Sequence, residues 1–515
     1  MYPTHITHYF EITVTAHSDR VAVYDGERSI TFQQLHEHIL CEAARISRRL
    51  GGKTGQIVAV FLPKSLDVVV ADLAVLYSGN AYMNLDVKSP KQRTRAILAQ
   101  TCPSLLIADG ISRPYFDGVP FFMLDATQTY LEHEEREAVL ALREKCIDTD
   151  LLCLINTSGS TGTPKAVALN HRSFIDFTEA VCSAGLVGED EVVASLSPSI
   201  FDIFSFELCM LMAKASTLVL VPENLAAFPV RLLELLAERR ASFIFWVPTI
   251  MVNIANMDLL HQIPLPSLKM VWFAGEVFPT AKLNYWRKHL PQATFANFYG
   301  PIEITLDCVY HVVRRALRDD EPIPIGKPFR NTAVLVLSET NESVTPDTPG
   351  VEGELCVRGS SLALGYYNNP EKTSAAFVQN PLNPAYPEII YRTGDMVAWN
   401  EYGELVFRGR KDTLIKHLGY RIELAEIEHV AVALKLVSNC CALYDAEHKK
   451  IVLVYEAPAP LPEKDLRQEL GRELPRYMVP TVYRHVADMP RNANGKLDRL
   501  GLQQHVNQRV YHEFP

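Results

Sequence analysis

Residues 157–165 read TSGSTGTPK, and this stretch decides the fold. Gly159 and Gly162 stand among hydroxyl side chains, a composition that lets backbone N–H groups and hydroxyls wrap a polyphosphate. Lys165 adds a cation. The loop is not of the Walker type, because neither glycine begins a Gly-Lys pair followed by Ser or Thr. Since a plain surface turn has the same composition, the rest of the chain must decide.

The sequence on either side of this loop predicts two strands. LLCLIN (151–156) precedes it and AVALN (166–170) follows it, and both runs are apolar and β-prone. Further short apolar runs alternate with amphipathic segments, such as IVAVFL (57–62), VRLLELLAERR (230–240) and SFIFWVP (242–248). This alternation is typical of mixed α/β layers with largely parallel pairing.

The pattern of predicted secondary structure changes twice along the chain. From about residue 332 it becomes rich in strands and turns, which predicts a smaller β-rich lobe over about 332–411. Residues 412–515 then combine strand pairs with helices, as in a compact α+β domain. We therefore expect an α/β protein with a large N-terminal body over 1–411, which includes the β-rich lobe, and a small C-terminal domain over 412–515.

Composition limits the classes of partner. The 515 residues are 48% hydrophobic and carry a net charge of −10, which argues against nucleic acid and anionic membrane surfaces. The N-terminus lacks a signal-peptide pattern, and no apolar run reaches membrane-spanning length, so we expect a cytoplasmic protein. The ten cysteines include no CxxC pair, which favours buried thiols over a zinc site or a disulfide framework.

Eight stretches in register carry a family resemblance over nearly the whole chain. They are NAYMNLD (80–86), TSGSTGTPK (157–165), FDIFSFE (201–207), NFYGPIE (297–303), GELCVRGSSLALGYY (353–367), YRTGD (391–395), GRKDTLIKHLGYRIELAEIE (409–428) and NANGKLDR (492–499). The chain resembles the adenylate-forming superfamily, which holds acyl-CoA synthetases, luciferases and the adenylation domains of nonribosomal peptide synthetases. The resemblance implies ATP-dependent activation of a carboxylate as its adenylate, with Mg²⁺ as the cofactor.

The resemblance also assigns residues to ATP. Asp395 would accept hydrogen bonds from the ribose hydroxyls with help from Arg410, and Tyr299 would stack on the adenine. The remaining ATP-binding positions are Thr157, Ser158, Gly159, Ser160, Thr161, Gly162, Phe298 and Gly300.

Three residues would carry the charge compensation that attack on a phosphate requires. Lys165 would hold the outer phosphates, and Glu303 would bind Mg²⁺, which prefers oxygen ligands. Lys496 matches the family lysine that bridges the substrate carboxylate and the α-phosphate. The alternative for Glu303 is a solvated surface glutamate, which the adjacent Tyr-Gly-Pro turn disfavours, and the residues alone would make Lys496 an exposed turn lysine.

The resemblance further predicts that the C-terminal domain is mobile. Asp412 falls at the family hinge, and rotation there would let a pantetheine thiol reach the adenylate. Gly419 and Tyr420 would line the tunnel for that thiol. An ordinary linker would fit the same residues.

Asp202 indicates the class of acid. In the amino-acid-activating branch this aspartate accepts a hydrogen bond from the substrate ammonium, although an Asp in this context could instead cap a helix. The other substrate positions carried over are Ile203, Phe206, Phe245, Trp272, Ala274, Phe298, Leu306 and Asp307. Four large aromatics leave little volume, which favours a small amino acid. Asp307 leaves open a cationic or hydroxylated side chain, or a β-amino group.

Several positions depart from the family pattern. Ile302 replaces a threonine, which removes a hydroxyl near the α-phosphate, and Asn84 stands where a proline is usual. Ala166, Phe204 and Ser361 also differ from the pattern.

The wording of two motifs, WFAGEVFP and IKHLGYRIELAEIEH, is most similar to ligases that load D-alanine onto a carrier protein. The chain ends sixteen residues after Arg499, so we expect an enzyme that loads a separate phosphopantetheinylated carrier protein in trans. The alternatives are an acyl- or aryl-CoA synthetase and a catalytically weak nucleotide-binding homologue.

Overall fold

The structure, a computed structural model, describes residues 3–110, 118–125, 127, 130–158, 164–411, 414–434, 437–490 and 497–507. Within these residues no helix is both long and apolar enough to cross a membrane.

The α-helices are distributed along the whole chain. Their bounds are α1 His8–His17, α2 Phe32–Arg49, α3 Leu66–Tyr77, α4 Lys91–Thr101, α5 His133–Arg143, α6 His171–Ser183, α7 Asp202–Lys214, α8 Pro229–Glu238, α9 Pro248–Asn256, α10 Leu259–Gln262, α11 Thr280–His289, α12 Pro370–Ala376, α13 Leu424–Ala433, α14 Glu463–Glu473 and α15 Arg499–Asn507.

The strands alternate with helices up to residue 299 and then follow one another more closely. Their bounds are β1 Val21–Asp25, β2 Arg28–Thr31, β3 Ile57–Phe61, β4 Ala81–Asn84, β5 Leu105–Ala108, β6 Phe121–Phe122, β7 Leu151–Thr157, β8 Lys165–Asn170, β9 Val192–Ser195, β10 Thr217–Leu220, β11 Phe243–Trp246, β12 Met270–Phe273, β13 Thr294–Tyr299, β14 Val309–Val312, β15 Lys327–Pro328, β16 Thr332–Leu337, β17 Glu352–Gly359, β18 Gly365–Tyr366, β19 Phe377–Gln379, β20 Ile389–Trp399, β21 Leu405–Arg410, β22 Leu414–His417, β23 Tyr420–Glu423, β24 Asn439–Asp445, β25 Lys450–Glu456 and β26 Val482–Val486.

Two large sheets confirm the expected α/β class. One runs β15-β14-β13-β12-β11-β9-β10-β1-β2, and the other runs β18-β8-β7-β4-β3-β5-β6. Pairing is parallel from β1 through β10, β9, β11 and β12 to β13, and also among β7, β4, β3, β5 and β6. Ligands of parallel sheets bind beyond the carboxyl ends of the strands, so the loops after these strands are the first place to look for a site.

The β-rich texture after residue 332 corresponds to an antiparallel sheet. Its order is β16-β17-β20-β19. Strand β19 pairs with residues 389–391 of the long strand β20, and β21 pairs with residues 395–399 of the same strand. Strand β20 therefore carries residue 395 directly opposite residue 410 of β21.

Local sequence explains how individual helices form. Helix α2 begins at a capping box, in which the Thr31 hydroxyl accepts the Gln34 N–H and the Gln34 side chain accepts the Thr31 N–H. Helix α3 is apolar almost all round, and residues 68–77 are buried in the largest core cluster. A helix with this pattern has to lie inside the protein.

The chain divides into two compact units. Unit 1 consists of Met1–Asp86, Thr101–Ile155 and Val167–Lys411, and unit 2 consists of Val87–Gln100, Asn156–Ala166 and Asp412–Pro515. Within unit 2, Arg93 of α4 forms an ion pair with Glu426 of α13, and the Glu426 side chain is fully buried. A buried carboxylate needs such a partner, so α4 is bound to the C-terminal part of the sequence by charge as well as by packing.

Candidate active site

Asp395 is the centre of a buried cluster of polar side chains in unit 1. The guanidinium of Arg410, directly opposite on β21, pairs with Asp395 Oδ1, and Arg410 Nη2 also donates to the Thr393 carbonyl at 3.0 Å. Tyr299, the last residue of β13, donates its hydroxyl to Asp395 Oδ2. Three residues predicted to bind ATP are thus brought together from two different sheets.

The protonation state of Tyr299 follows from the burial of this cluster. Asp395 is 2% exposed and Tyr299 is 6% exposed. Burial, together with the neighbouring Asp395 carboxylate, raises the pKa of the Tyr299 phenol well above its usual value, so this hydroxyl remains a donor. A carboxylate offers about four lone-pair sites, so Asp395 can bind both donors and still accept from ribose hydroxyls.

Glu303 lies in a short 3₁₀ helix, Ile302–Ile304, that follows β13. Its side chain is fully buried, and Oε1 accepts the hydroxyl of Tyr366 at 2.7 Å. The Glu303 carbonyl accepts the N–H of Ala363 at 2.9 Å, which fixes the backbone as well. Sequence reasoning did not single out Tyr366, although it belongs to the matched stretch GELCVRGSSLALGYY.

The turn that carries Glu303 is tight. A Cβ on Gly300 would collide with the carbonyl oxygen of Leu306 and with the Cα of Asp307, so this position requires glycine. Thr305 and Leu306 both adopt positive φ, at 55° and 65°. Strained backbone of this kind is often found at functional sites, and here it leads directly from Glu303 to the pocket residues.

The four predicted pocket aromatics form one packed cluster, which we call the aromatic quartet: Phe206, Phe245, Trp272 and Phe298. The Trp272 ring stacks on Phe298 with centroids 4.2 Å apart and on Phe206 at 5.6 Å, and Phe245 meets it edge-on at 5.4 Å. All four side chains are at most 1% exposed. Ala274, Leu306 and Asp307 are buried as well, so the quartet and its neighbours fill this part of the sheet face.

Asp202 is the first residue of α7, and the N-cap is Phe201. The interpretation of Asp202 as a helix cap is therefore wrong. Its Oδ1 accepts the N–H of Ile203 at 2.9 Å. Because residues four apart share a helix face, Asp202 lies on the same side of α7 as Phe206 of the quartet.

The Ser/Thr/Gly loop joins β7 and β8, as its flanks predicted. Within unit 2, the Ser158 hydroxyl donates to the Arg421 carbonyl at 2.9 Å and accepts the Glu423 N–H at 3.0 Å. Lys165 Nζ pairs with Glu423 Oε1 at 2.6 Å. Sequence reasoning missed Glu423, although it lies in the matched stretch GRKDTLIKHLGYRIELAEIE.

The hairpin of β22 and β23 carries the residues predicted for the thiol tunnel. Leu418 and Gly419 form its turn with positive φ, at 53° and 84°. The Tyr420 ring stacks on Tyr477 with centroids 3.7 Å apart.

Some predicted residues lie outside the described part of the chain. They are Gly159, Ser160, Thr161, Gly162, Asp412 and Lys496. The roles of all the site residues stay predictions.

Comparison with protein families decides which kind of protein this is. The model of the AMP-binding enzyme family matches residues 10–367, and that of the AMP-binding enzyme C-terminal domain matches residues 426–496. The chain belongs to the AMP-binding enzyme family. The resemblance to the adenylate-forming superfamily and to peptide-synthetase adenylation domains is thereby confirmed.

Individual relatives of this AMP-binding enzyme differ greatly in length. This chain is 31% identical over 522 residues to L-proline--[L-prolyl-carrier protein] ligase of Streptomyces coelicolor, and the match covers 95% of each chain. It is 30% identical to tyrocidine synthase 2 of Brevibacillus parabrevis, with 98% of this chain matched but only 14% of that protein. The chain thus corresponds to a small part of the long synthases it matches.

A solved structure shows the same fold. The Vibrio cholerae adenylation domain AlmE, determined in complex with glycyl-adenosine-5'-phosphate, aligns with a TM-score of 0.84 at 21% identity. The alignment covers 99% of this chain and 98% of AlmE. At this identity the likeness bears on the fold alone.

Proposed function

We propose that this AMP-binding enzyme activates a small amino acid with ATP and transfers it to the pantetheine thiol of a separate carrier protein. The observation that carries the proposal is the aromatic quartet beside Asp202. A carboxylate on one face of α7 would accept hydrogen bonds from the substrate ammonium, and Phe206, one turn further on, begins a packed aromatic wall. Such a wall leaves room for a short side chain only.

The first half-reaction joins the amino acid to AMP. A carboxylate oxygen of the amino acid attacks the α-phosphorus of ATP, a phosphorus–oxygen bond forms, and pyrophosphate leaves with the electrons of the bond that breaks. Two anions must approach each other in this step, so positive charge and hydrogen-bond donors lower its barrier. Lys496 would bridge the two reacting groups, and Lys165 would hold the departing phosphates.

The nucleotide would be held by the Asp395 cluster. Asp395 would accept from the ribose hydroxyls, while Arg410 and the protonated Tyr299 keep its carboxylate fixed. The hydrogen bond also fixes the Tyr299 ring, which supports its use as a flat surface for the adenine.

Glu303 fits a role in binding Mg²⁺. Its buried carboxylate is held by Tyr366, and a carboxylate oxygen is the ligand that this hard cation prefers. Among the described residues no group of three or more His, Cys, Asp or Glu side chains could hold a metal ion by itself. Mg²⁺ would be shared with the phosphates of ATP, whose charge it would neutralise.

The second half-reaction transfers the aminoacyl group. The carrier thiolate attacks the carbonyl carbon of the adenylate, a thioester forms, and AMP leaves. Residues 412–515 would move about Asp412 for this step, and Gly419 and Tyr420 would line the path of the thiol. Lys165 pairs with Glu423 here, and its ammonium has three N–H donors, so it could also contact a phosphate of ATP.

The test is amino-acid-dependent exchange of pyrophosphate into ATP, measured over a panel of proteinogenic, D- and β-amino acids. We expect glycine, alanine or another short amino acid to give the fastest exchange. Asp202→Ala is expected to abolish this exchange, since the ammonium would lose its acceptor. The preferred amino acid should then appear as a thioester on a phosphopantetheinylated carrier protein, measured by mass spectrometry.

Three outcomes would contradict the proposal. The first is exchange that depends on fatty or aryl acids and is unaffected by Asp202→Ala, which would indicate a CoA synthetase. The second is a preference for bulky amino acids, which would contradict the size argument. The third is ATP binding by calorimetry with no exchange for any acid, which would indicate a nucleotide-binding homologue.

A further inference from the structure

A buried amide joins three parts of unit 1 near Asp202. Asn84, the last residue of β4, donates one N–H to Asp72 Oδ2 at 2.8 Å and the other to the Ser199 carbonyl at 3.1 Å. Asp72 lies in the middle of α3, and Ser199 lies three residues before Asp202. Asn84 is 7% exposed and Asp72 is fully buried. One side chain therefore connects a core helix, a strand end and the segment that leads into α7.

This segment is also held from the neighbouring strand. Lys64, which follows β3, donates to the carbonyls of Ser195 and Ser197 at 2.6 Å and 2.7 Å. Strands β3 and β4 are parallel neighbours, so Lys64 and Asn84 both act from the carboxyl edge of one sheet. Three carbonyls of the segment, at residues 195, 197 and 199, are thus fixed from this edge.

The amide network is a poor way to stabilise a core. Asp72 Oδ1 and Asn84 Oδ1 are both buried without a hydrogen-bond partner. Each such group costs about 1–3 kcal/mol of desolvation, and apolar side chains of similar volume would avoid that cost. Burial also raises the pKa of Asp72 well above its usual value, although Asn84 acts to lower it. A costly arrangement of this kind indicates selection for position rather than for stability.

The position it fixes is the start of α7. The Phe201 N–H bonds to the Pro198 carbonyl at 3.1 Å, and Phe201 is the N-cap, so the turn 198–201 connects Ser199 rigidly to Asp202. A shift of the Ser199 carbonyl would be transmitted to the first turn of the helix.

We propose that Asn84, oriented by Asp72, is a positioning residue for amino-acid binding: it fixes the Ser199 carbonyl and thereby the Asp202 carboxylate that receives the substrate ammonium. The inference rests on the proposed function. Asn84 acts through Asp202 and not on ATP, so its loss should weaken binding of the amino acid selectively.

The experiment compares Asn84→Ala with wild type in pyrophosphate exchange, using glycine or alanine, whichever the wild type exchanges faster. We expect KM for the amino acid to rise about tenfold, the effect of one lost hydrogen bond, with KM for ATP unchanged. Asn84→Leu, similar in size but without a donor, should raise it at least as much. Asp72→Asn, which keeps an acceptor for Asn84, should retain the wild-type KM.

A matched control lies just before the start of β4, whereas Asn84 is its last residue. Asn80 is also buried, its amide donates to the Ser78 carbonyl and hydroxyl at 2.9 Å, and its Oδ1 accepts the Gln56 N–H. Asn80→Ala should lower the thermal unfolding midpoint to a similar extent without changing KM for the amino acid. An equal KM rise in Asn80→Ala, or an unchanged KM in both Asn84 variants, would overturn the inference. Absence of amino-acid-dependent exchange in the wild type would instead refute the proposed function.

Discussion

Two buried histidines should make unit 1 sensitive to acid. His5 and His171 are 1% and 2% exposed, and their rings lie 3.9 Å apart. The Nδ1 atom of His171 accepts the Ile6 N–H and that of His5 accepts the Thr7 N–H, so both rings must be neutral, because a protonated imidazole has no acceptor.

Burial sets the direction of the effect. Burial, with His8 adding repulsion, lowers the pKa of His171 from 6.5 to about 3. Burial, followed by the charges of His171, His8 and Arg143, lowers the pKa of His5 well below 6.5. A group whose pKa is lower in the folded state contributes full stability above the unfolded value of 6.5 and loses it as the pH falls toward the folded value.

The size of the stability loss follows from the linkage between proton binding and folding. For His171 the folded state loses about 1.36 kcal/mol of stability per pH unit below 6.5, so at about pH 5 this histidine has lost about 2 kcal/mol, and the lowered pKa of His5 acts in the same direction. Replacing His171 by Asn keeps an acceptor for the Ile6 N–H but removes the titration. The variant should therefore lose about 2 kcal/mol less than wild type between pH 7 and about pH 5.

Urea unfolding followed by tryptophan fluorescence measures this effect in the full chain. All four tryptophans lie between residues 246 and 399, so the signal reports on unit 1. The exposed His133 provides the control, and His133→Asn should leave the pH dependence as in wild type. The reasoning is refuted if wild type and His171→Asn lose the same free energy of unfolding between the two pH values.

Three further substitutions test other parts of the structure. Trp272→Ala should cost about 3–5 kcal/mol of stability in urea unfolding and shift the exchange panel toward larger amino acids, because a fully buried ring is removed from the quartet. Tyr299→Phe removes a hydrogen bond to the charged Asp395, worth about 1.5–3 kcal/mol, and should raise KM for ATP at least tenfold while KM for the amino acid stays constant. Lys64→Met removes the cation near the fully buried Glu207 together with two hydrogen bonds to the Ser195 and Ser197 carbonyls, and should cost about 3–5 kcal/mol. The double variant that also carries Glu207→Gln should lose less, because it relieves the electrostatic part of this cost; equal losses in the single and double variants would contradict the electrostatic account.

Local patterns in the sequence were sufficient to predict the helices and strands named here and the class of fold. LLCLIN and AVALN became β7 and β8, and the local pair of Thr31 and Gln34 forms the capping box that starts α2. These features depend on side-chain period and on contacts within a few residues, which a single sequence displays directly. The resemblance named Asp395 and Arg410, and the register of β20 and β21 places them opposite each other.

Contacts between distant segments could not be predicted in the same way. Lys165 and Glu423 are 258 residues apart, and Glu303 and Tyr366 are 63 apart. Such pairs depend on strand order and on the packing of whole elements, which no local period encodes. For the same reason Asn84 could be noted as an unusual residue, but its partner Asp72 became visible only when α3 lay against β4.

The ion pair of Arg93 with Glu426 limits how this protein can be recombined with its relatives. A chimera that exchanges everything after residue 411 would separate the two partners, which lie 333 residues apart in the sequence. Unless the incoming segment brings a carboxylate at the matching position, Arg93, only 9% exposed, would be left with an uncompensated charge. Engineers who exchange these modules should therefore transplant residues 87–100 and 156–166 together with the C-terminal segment.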